Sequence, residues 1–129
     1  MKFLVLVGRI LYSLMFIMAG KFHFSEAAVG YASAQGVPFP EITVKLAGVM
    51  AVLGGLSVAF GFKAKWGAWL IVLFLIPVTA MMHQFWNVSD PMMAGIQTAM
   101  FFKNLSMLGA ALCITQVGSG PYSWDSRKH

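Results

Sequence analysis

An all-α bundle of membrane-spanning helices is the fold class this sequence predicts, and three observations predict it. The 129 residues are 59% hydrophobic and only 10% charged, against about a quarter charged in soluble domains. Such a chain has too little polar surface to coat a small globule in water. Four apolar stretches are each long enough to cross a hydrocarbon core of about 30 Å, which takes about 20 helical residues. The cations lie mostly between these stretches and not on one amphipathic face, so the net charge of +5 reads as a topology and headgroup signal. Nucleic acid is thereby excluded as a partner, and a length of about one ordinary domain argues against a multi-domain enzyme.

The first span runs from about Phe3 to Gly20 and is interrupted by Arg9. Lys2 before an apolar run and Ala32-Ser33-Ala34 look like parts of a secretory leader. The run is too long and the small-residue site lies too far past its end for cleavage to be expected. In the following loop Phe22, Phe24, Ala27, Ala28, Tyr31 and Ala32 recur at rough helical spacing, with Ser25 as a cap and Gly36 as a stop. They predict a short amphipathic helix on the membrane face or folded into the mouth of the bundle.

The turn signal Gly36-Val37-Pro38-Phe39-Pro40 precedes the second span, about Ile42 to Phe62. The third runs from about Trp66 to Phe85, with a kink expected at Pro77, and the fourth from about Ile96 to Val117. Backbone groups in lipid must be satisfied within their own segment, so all four are read as helices of a single transmembrane domain over 1–129. Lys2, Lys63, Lys65, Arg127 and Lys128 then fall on one side of the membrane. Both termini are expected in the cytoplasm of a multi-pass protein, in a bacterium the inner membrane, with Glu26, Glu41 and Asp90 outside. Trp66, Trp86 and Tyr31 sit near the expected boundaries, whereas Trp69 lies deeper.

A charged side chain within a span costs about 2.5–3.5 kcal/mol on insertion scales, so Arg9 and Lys103 each require an explanation. Each either snorkels to its nearer interface or turns into the bundle. Ala99, Lys103, Ser106, Ala110 and Cys113 recur at three- and four-residue spacing, which predicts a small and polar face turned inward. Arg9, Ser13 and Gly20 align likewise, as do Gly48, Ala51, Gly55 and Ala59, a stripe that would also serve a homodimer.

Thr79, His83 and Trp86 share a face if the third helix continues through them. With Lys103, His23, Lys21, Glu41 and Lys45 in the same half of the membrane, a polar pocket walled by Phe85, Trp86, Phe101 and Phe102 is expected. It could donate hydrogen bonds to a quinone carbonyl or hold a small oxyanion. The plainer alternative bonds His83 to a backbone carbonyl.

The ten methionines read as lipid-facing and gap-filling mass. His23, His83, His129 and the lone Cys113 offer no paired-ligand spacing for a metal, and no phosphate loop or nucleophile triad is present.

Arg9 with Phe16 through Phe22, Ala34-Gln35-Gly36-Val37-Pro38, Leu46-Ala47-Gly48, Leu53-Gly54-Gly55, Ala80 through Trp86 and Phe101 through Leu105 occur in an order that resembles the DoxX family of small four-helix membrane proteins. That family is similar in fold to the small subunit of thiosulfate:quinone oxidoreductase. The resemblance implies quinone or sulfur redox chemistry, with Arg9, His83, Trp86, Lys103 and Asn104 as candidate binding residues. Many such relatives carry an acid before the helix-two glycines, where this chain has Ala51-Val52-Leu53, so Arg9 is expected to lack that counter-ion.

The leading expectation is therefore a membrane module of a quinone-linked redox system. It has no cofactor motif of its own and depends on a redox or periplasmic partner protein. The alternative is a non-catalytic membrane scaffold or assembly partner.

Overall fold

The computed structural model describes residues 2–123 and 125. Five α-helices follow in order: α1 (Lys2–Phe22), α2 (Glu26–Ala34), α3 (Pro40–Phe60), α4 (Ala64–Met82) and α5 (Pro91–Val117), with a 3-10 turn, Phe85–Asn87, between α4 and α5. No strand occurs among the described residues. α1, α3, α5 and the stretch from α4 through Asn87 are the four segments long and apolar enough to cross a membrane. The chain is a multi-pass membrane protein.

Helix ends follow from local chemistry. Ser25 caps α2 by accepting from the Ala28 amide at 3.2 Å. Pro40 opens α3, where its missing N–H is no loss. Gly61 closes that helix at φ 68°, a left-handed conformation that glycine adopts without steric cost. Asp90 and Pro91 open α5, the carboxylate accepting from the Met93 amide at 3.1 Å. This start precedes the expected Ile96 because the cap and proline, not hydropathy, set it. α4 runs through Pro77 and stops at Met82, short of the expected Phe85. His83 therefore leaves helical geometry, and the assumed common face of Thr79, His83 and Trp86 does not form.

α1 packs on α3, α3 on α4 and α4 on α5, whereas α1 and α5 have no comparable shared face. The core holds Phe16, Ala51, Val58, Ile71, Leu75 and Ala111. The tightest seam is α1 on α3, where a Cβ at Gly48 would stand 2.9 Å from the Gly20 carbonyl oxygen. Arg9, Ser13 and Gly20 are buried on α1, and Gly48, Ala51 and Gly55 on α3, so these stripes face neighbouring helices.

The stripe expected on the last helix faces the other way. Lys103, Ser106, Ala110 and Cys113 are exposed, and Asn104, Ala111 and Thr115 are buried, because α5 packs the face that carries Met107, Leu108 and Ile114 against the core. Phe3, Leu11, Met18, Ile42, Leu46 and Phe60 point outward, as they must toward lipid.

Candidate functional site

A cavity of about 290 Å³ lies between the helices toward the His83 end of the bundle. Met15 and Phe16 from α1, His23 just past its end, Phe74 from α4, and Lys103 and Asn104 from α5 contribute to its wall. α2 forms another part through Ala28, Tyr31 and Ala32. Nearly all of this surface is hydrocarbon, aromatic ring or thioether, including Met81, Met82 and Met107.

The polar groups stand at the margins. His23 Nδ1 lies 2.6 Å from the Ala19 carbonyl oxygen, and its ring meets Phe74 edge-on with centroids 5.3 Å apart. His83 Nδ1 lies 2.7 Å from Gln97 Oε1, which makes Nδ1–H the donor. The Gln97 amide in turn donates to Tyr31 Oη at 3.5 Å, and Tyr31 donates to the Met82 carbonyl at 2.9 Å. These bonds lace α2, the end of α4 and α5 together. Tyr31→Phe should loosen this lacing by about 1 kcal/mol. The loss is read as a lower melting temperature and faster amide exchange at the end of α4.

Asn104 is 5% exposed, yet its carboxamide makes no hydrogen bond with the described residues. Lys103 Nζ has the Met100 thioether at 3.4 Å. Among the described residues no carboxylate pairs with it, the one ion pair there being Lys45 with Glu41 at 3.3 Å.

All 129 residues match the model of the SURF4 family. The chain belongs to the SURF4 family. That match over the full length corrects the DoxX resemblance, which rested on short apolar and glycine motifs that close helix packing produces in many membrane bundles. This SURF4-family chain is 29% identical over 126 residues to the inner membrane protein YphA of Escherichia coli, covering 96% of this chain and 89% of that protein. It is 32% identical over 123 residues to the inner membrane protein YqjF of the same organism, covering 94% and 88%. It is 28% identical over 126 residues to the ER-derived vesicles protein ERV29 of Saccharomyces cerevisiae, covering 98% of this chain but 34% of the yeast protein. No solved structure matches.

Of the residues singled out from sequence, the fold brings His83, Lys103 and Asn104 to one cavity, together with His23. Lys21, Glu41 and Lys45 do not line it. Neither does Trp86, which is 55% exposed and meets Phe85 and Phe101 edge-on at centroid distances of 5.1 and 5.8 Å. The expected wall of Phe85, Trp86, Phe101 and Phe102 is thus a separate aromatic cluster, and Phe16 and Phe74 take its place in this SURF4-family chain. The early end of α4 at Met82 takes Phe85 and Trp86 out of the helix and onto the rings of Phe101 and Phe102.

Arg9 is at the other end of the molecule, 6% exposed and not snorkelling. Its Nη2 donates to the Pro121 and Tyr122 carbonyls of the C-terminal segment. The Asp125 carboxylate of the tail acts on its charge across space, where the sequence suggested that an acid on α3 was the missing partner. Asp125 also accepts from the Lys63 and Ala64 amides at 2.8 and 3.3 Å, capping α4 from a distance, and from Ser119 Oγ at 2.6 Å. Arg127, Lys128 and His129 lie outside the described residues.

Among the described residues no three of His, Cys, Asp and Glu gather closely enough to hold a metal ion. Sequence reasoning missed the cavity's methionines and the tail's role. The signals present were the i, i+4, i+7 spacing of Met15, Ala19 and Phe22 and the serines flanking Asp125.

Proposed function

We propose that this SURF4-family chain is a membrane scaffold that holds a partner from the membrane or the periplasm, binding it rather than transforming it. The observation that carries this reading is the cavity, apolar in its walls and bounded by α1 and α5, the two ends of the helix row, which share no extensive packed face. A chamber of that kind takes a hydrocarbon guest that comes from the side. The two Escherichia coli relatives are named as inner membrane proteins, and the yeast relative is named for ER-derived vesicles. Those names support an inner-membrane location and a role in membrane organisation.

Lys2, Lys63 and Lys65 would mark the cytoplasmic side by the positive-inside rule, with the cavity in the periplasmic half of one continuous bundle. The quinone-linked module loses the resemblance that implied it. A quinone headgroup persists only as one candidate guest beside His83 and Lys103.

Native mass spectrometry of the purified protein tests the reading. Wild type should carry an apolar molecule that Ala47→Phe, a side chain added at the cavity wall, displaces without loss of folded protein. An empty wild type, or the same guest in both, would end the proposal. Recovery of a stoichiometric quinone would favour the redox module.

A further inference from the structure

We infer that the cavity is a site for a single-chain anionic amphiphile, its hydrocarbon among Phe16, Phe74 and Met107 and its carboxylate on Lys103 and Asn104. The inference rests on the binding reading above and names the class of guest.

The route of entry comes first. At the His83 end, α2 lies against the cavity through Ala28, Tyr31 and Ala32, and the bonds from Tyr31 to Met82 and from Gln97 to Tyr31 and His83 hold it there. That end is roofed. Deeper in the bundle Tyr12 Oη donates to the Met107 carbonyl at 2.6 Å, joining α1 to α5 and closing the seam below. Between roof and tie, exposed Met15 on α1 and exposed Lys103 on α5 both line the cavity, so the opening lies between two spans and faces lipid. A guest therefore partitions into the bilayer before it enters, which selects against small water-soluble anions.

The chemistry of the wall and rim then selects among lipids. The wall takes hydrocarbon, and a volume of about 290 Å³ suits one chain, at the lower edge of the roughly 300–1,000 Å³ of small-molecule sites. At the rim a cation inside a span is costly unless paired, and Lys103 has no carboxylate within ion-pair distance among the described residues. The next residue, Asn104, brings a nearly buried carboxamide without a hydrogen bond to the described residues. An ammonium held only by the Met100 thioether and an amide donor without a hydrogen bond, both on the wall of one apolar cavity, offer partners to the two oxygens of a carboxylate.

Palmitate carrying a photoreactive diazirine in its chain tests this with the full-length protein in neutral phosphatidylcholine nanodiscs. Label is expected on cavity residues of α1 and α4. Unlabelled palmitate should compete about tenfold better than hexadecanol, and Lys103→Gln should erase that difference while retaining its melting temperature. Equal competition by acid and alcohol in wild type, with labelling still lost in Ala47→Phe, would overturn the anionic guest and leave the apolar chamber standing. Label spread evenly over lipid-facing residues such as Leu11 and Leu46 would remove both. Phosphatidylglycerol competing at lower concentration than palmitate would overturn the single-chain assignment. Ala19→Phe, which fills the cavity from α1, repeats the test should Ala47→Phe fail to fold.

Discussion

Gly20→Ala and Gly8→Ala, the same chemical change on one helix, are expected to move the melting transition in opposite directions. A Cβ at Gly20 would run into the Val52 side chain and stand 2.7 Å from the Gly48 carbonyl oxygen. Side chains can rotate away, but a carbonyl held in the α3 hydrogen-bond ladder cannot. α1 must therefore lift off α3, at a cost of about 1–3 kcal/mol by the measure of overpacked cores.

At Gly8 nothing lies within 4 Å of the added carbon. There alanine only reduces the freedom of the unfolded backbone, and about 0.5–1 kcal/mol is gained. Gly95 and Gly109 are equally open and should follow Gly8. Scanning fluorimetry in one detergent ranks all four. A Gly20→Ala protein as stable as wild type would mean that α1 does not sit on α3 as described. The lesion should also weaken guest binding, because His23 lies against Gly48 and lines the cavity.

Asp125→Ala should release residues 118–125 while the spans remain folded. The carboxylate serves two backbone amides at the start of α4 and the Ser119 hydroxyl, and it offsets the Arg9 charge. Hydrogen bonds to a charged group contribute about 1.5–3 kcal/mol, and their loss leaves Arg9 buried beside carbonyls alone. Limited proteolysis should cut the tail at least about tenfold faster, since local opening rises with lost local stability. Arg9→Met should expose the same segment, and the double variant should be little worse than either single one, because both act on one assembly. Additive losses would show that Arg9 and Asp125 work independently.

The spans were legible because lipid imposes a long, simple pattern on sequence. Ser25, Gly36 and the helical spacing of Ala28, Tyr31 and Ala32 between them likewise announced α2. Helix ends were less so: Asp90-Pro91 is an ordinary start signal, but the apolar run begins later, and the eye follows the run. On α5 the small and polar stripe through Lys103 and Cys113 had the right period and the wrong phase. Period is local, whereas phase depends on which neighbour the helix meets. The cavity was half legible. His83 and Lys103 were suspect as polar groups in apolar surroundings, but their true companions, Phe16, Phe74 and Tyr31, are ordinary aromatic residues brought together only by packing. The tail's hold on Arg9 links residues more than a hundred positions apart and leaves no periodic trace.

The helix row runs α1, α3, α4, α5, so the unsealed edge of the chamber is shared by the first and the fourth of these spans, made far apart in time. During synthesis the earlier helices can assemble in order, each on the one before, while the chamber still lacks a side. It acquires that side only when α5 arrives. The segment behind it then fastens across Arg9, so a chamber able to hold a guest exists only once the fourth span is in place.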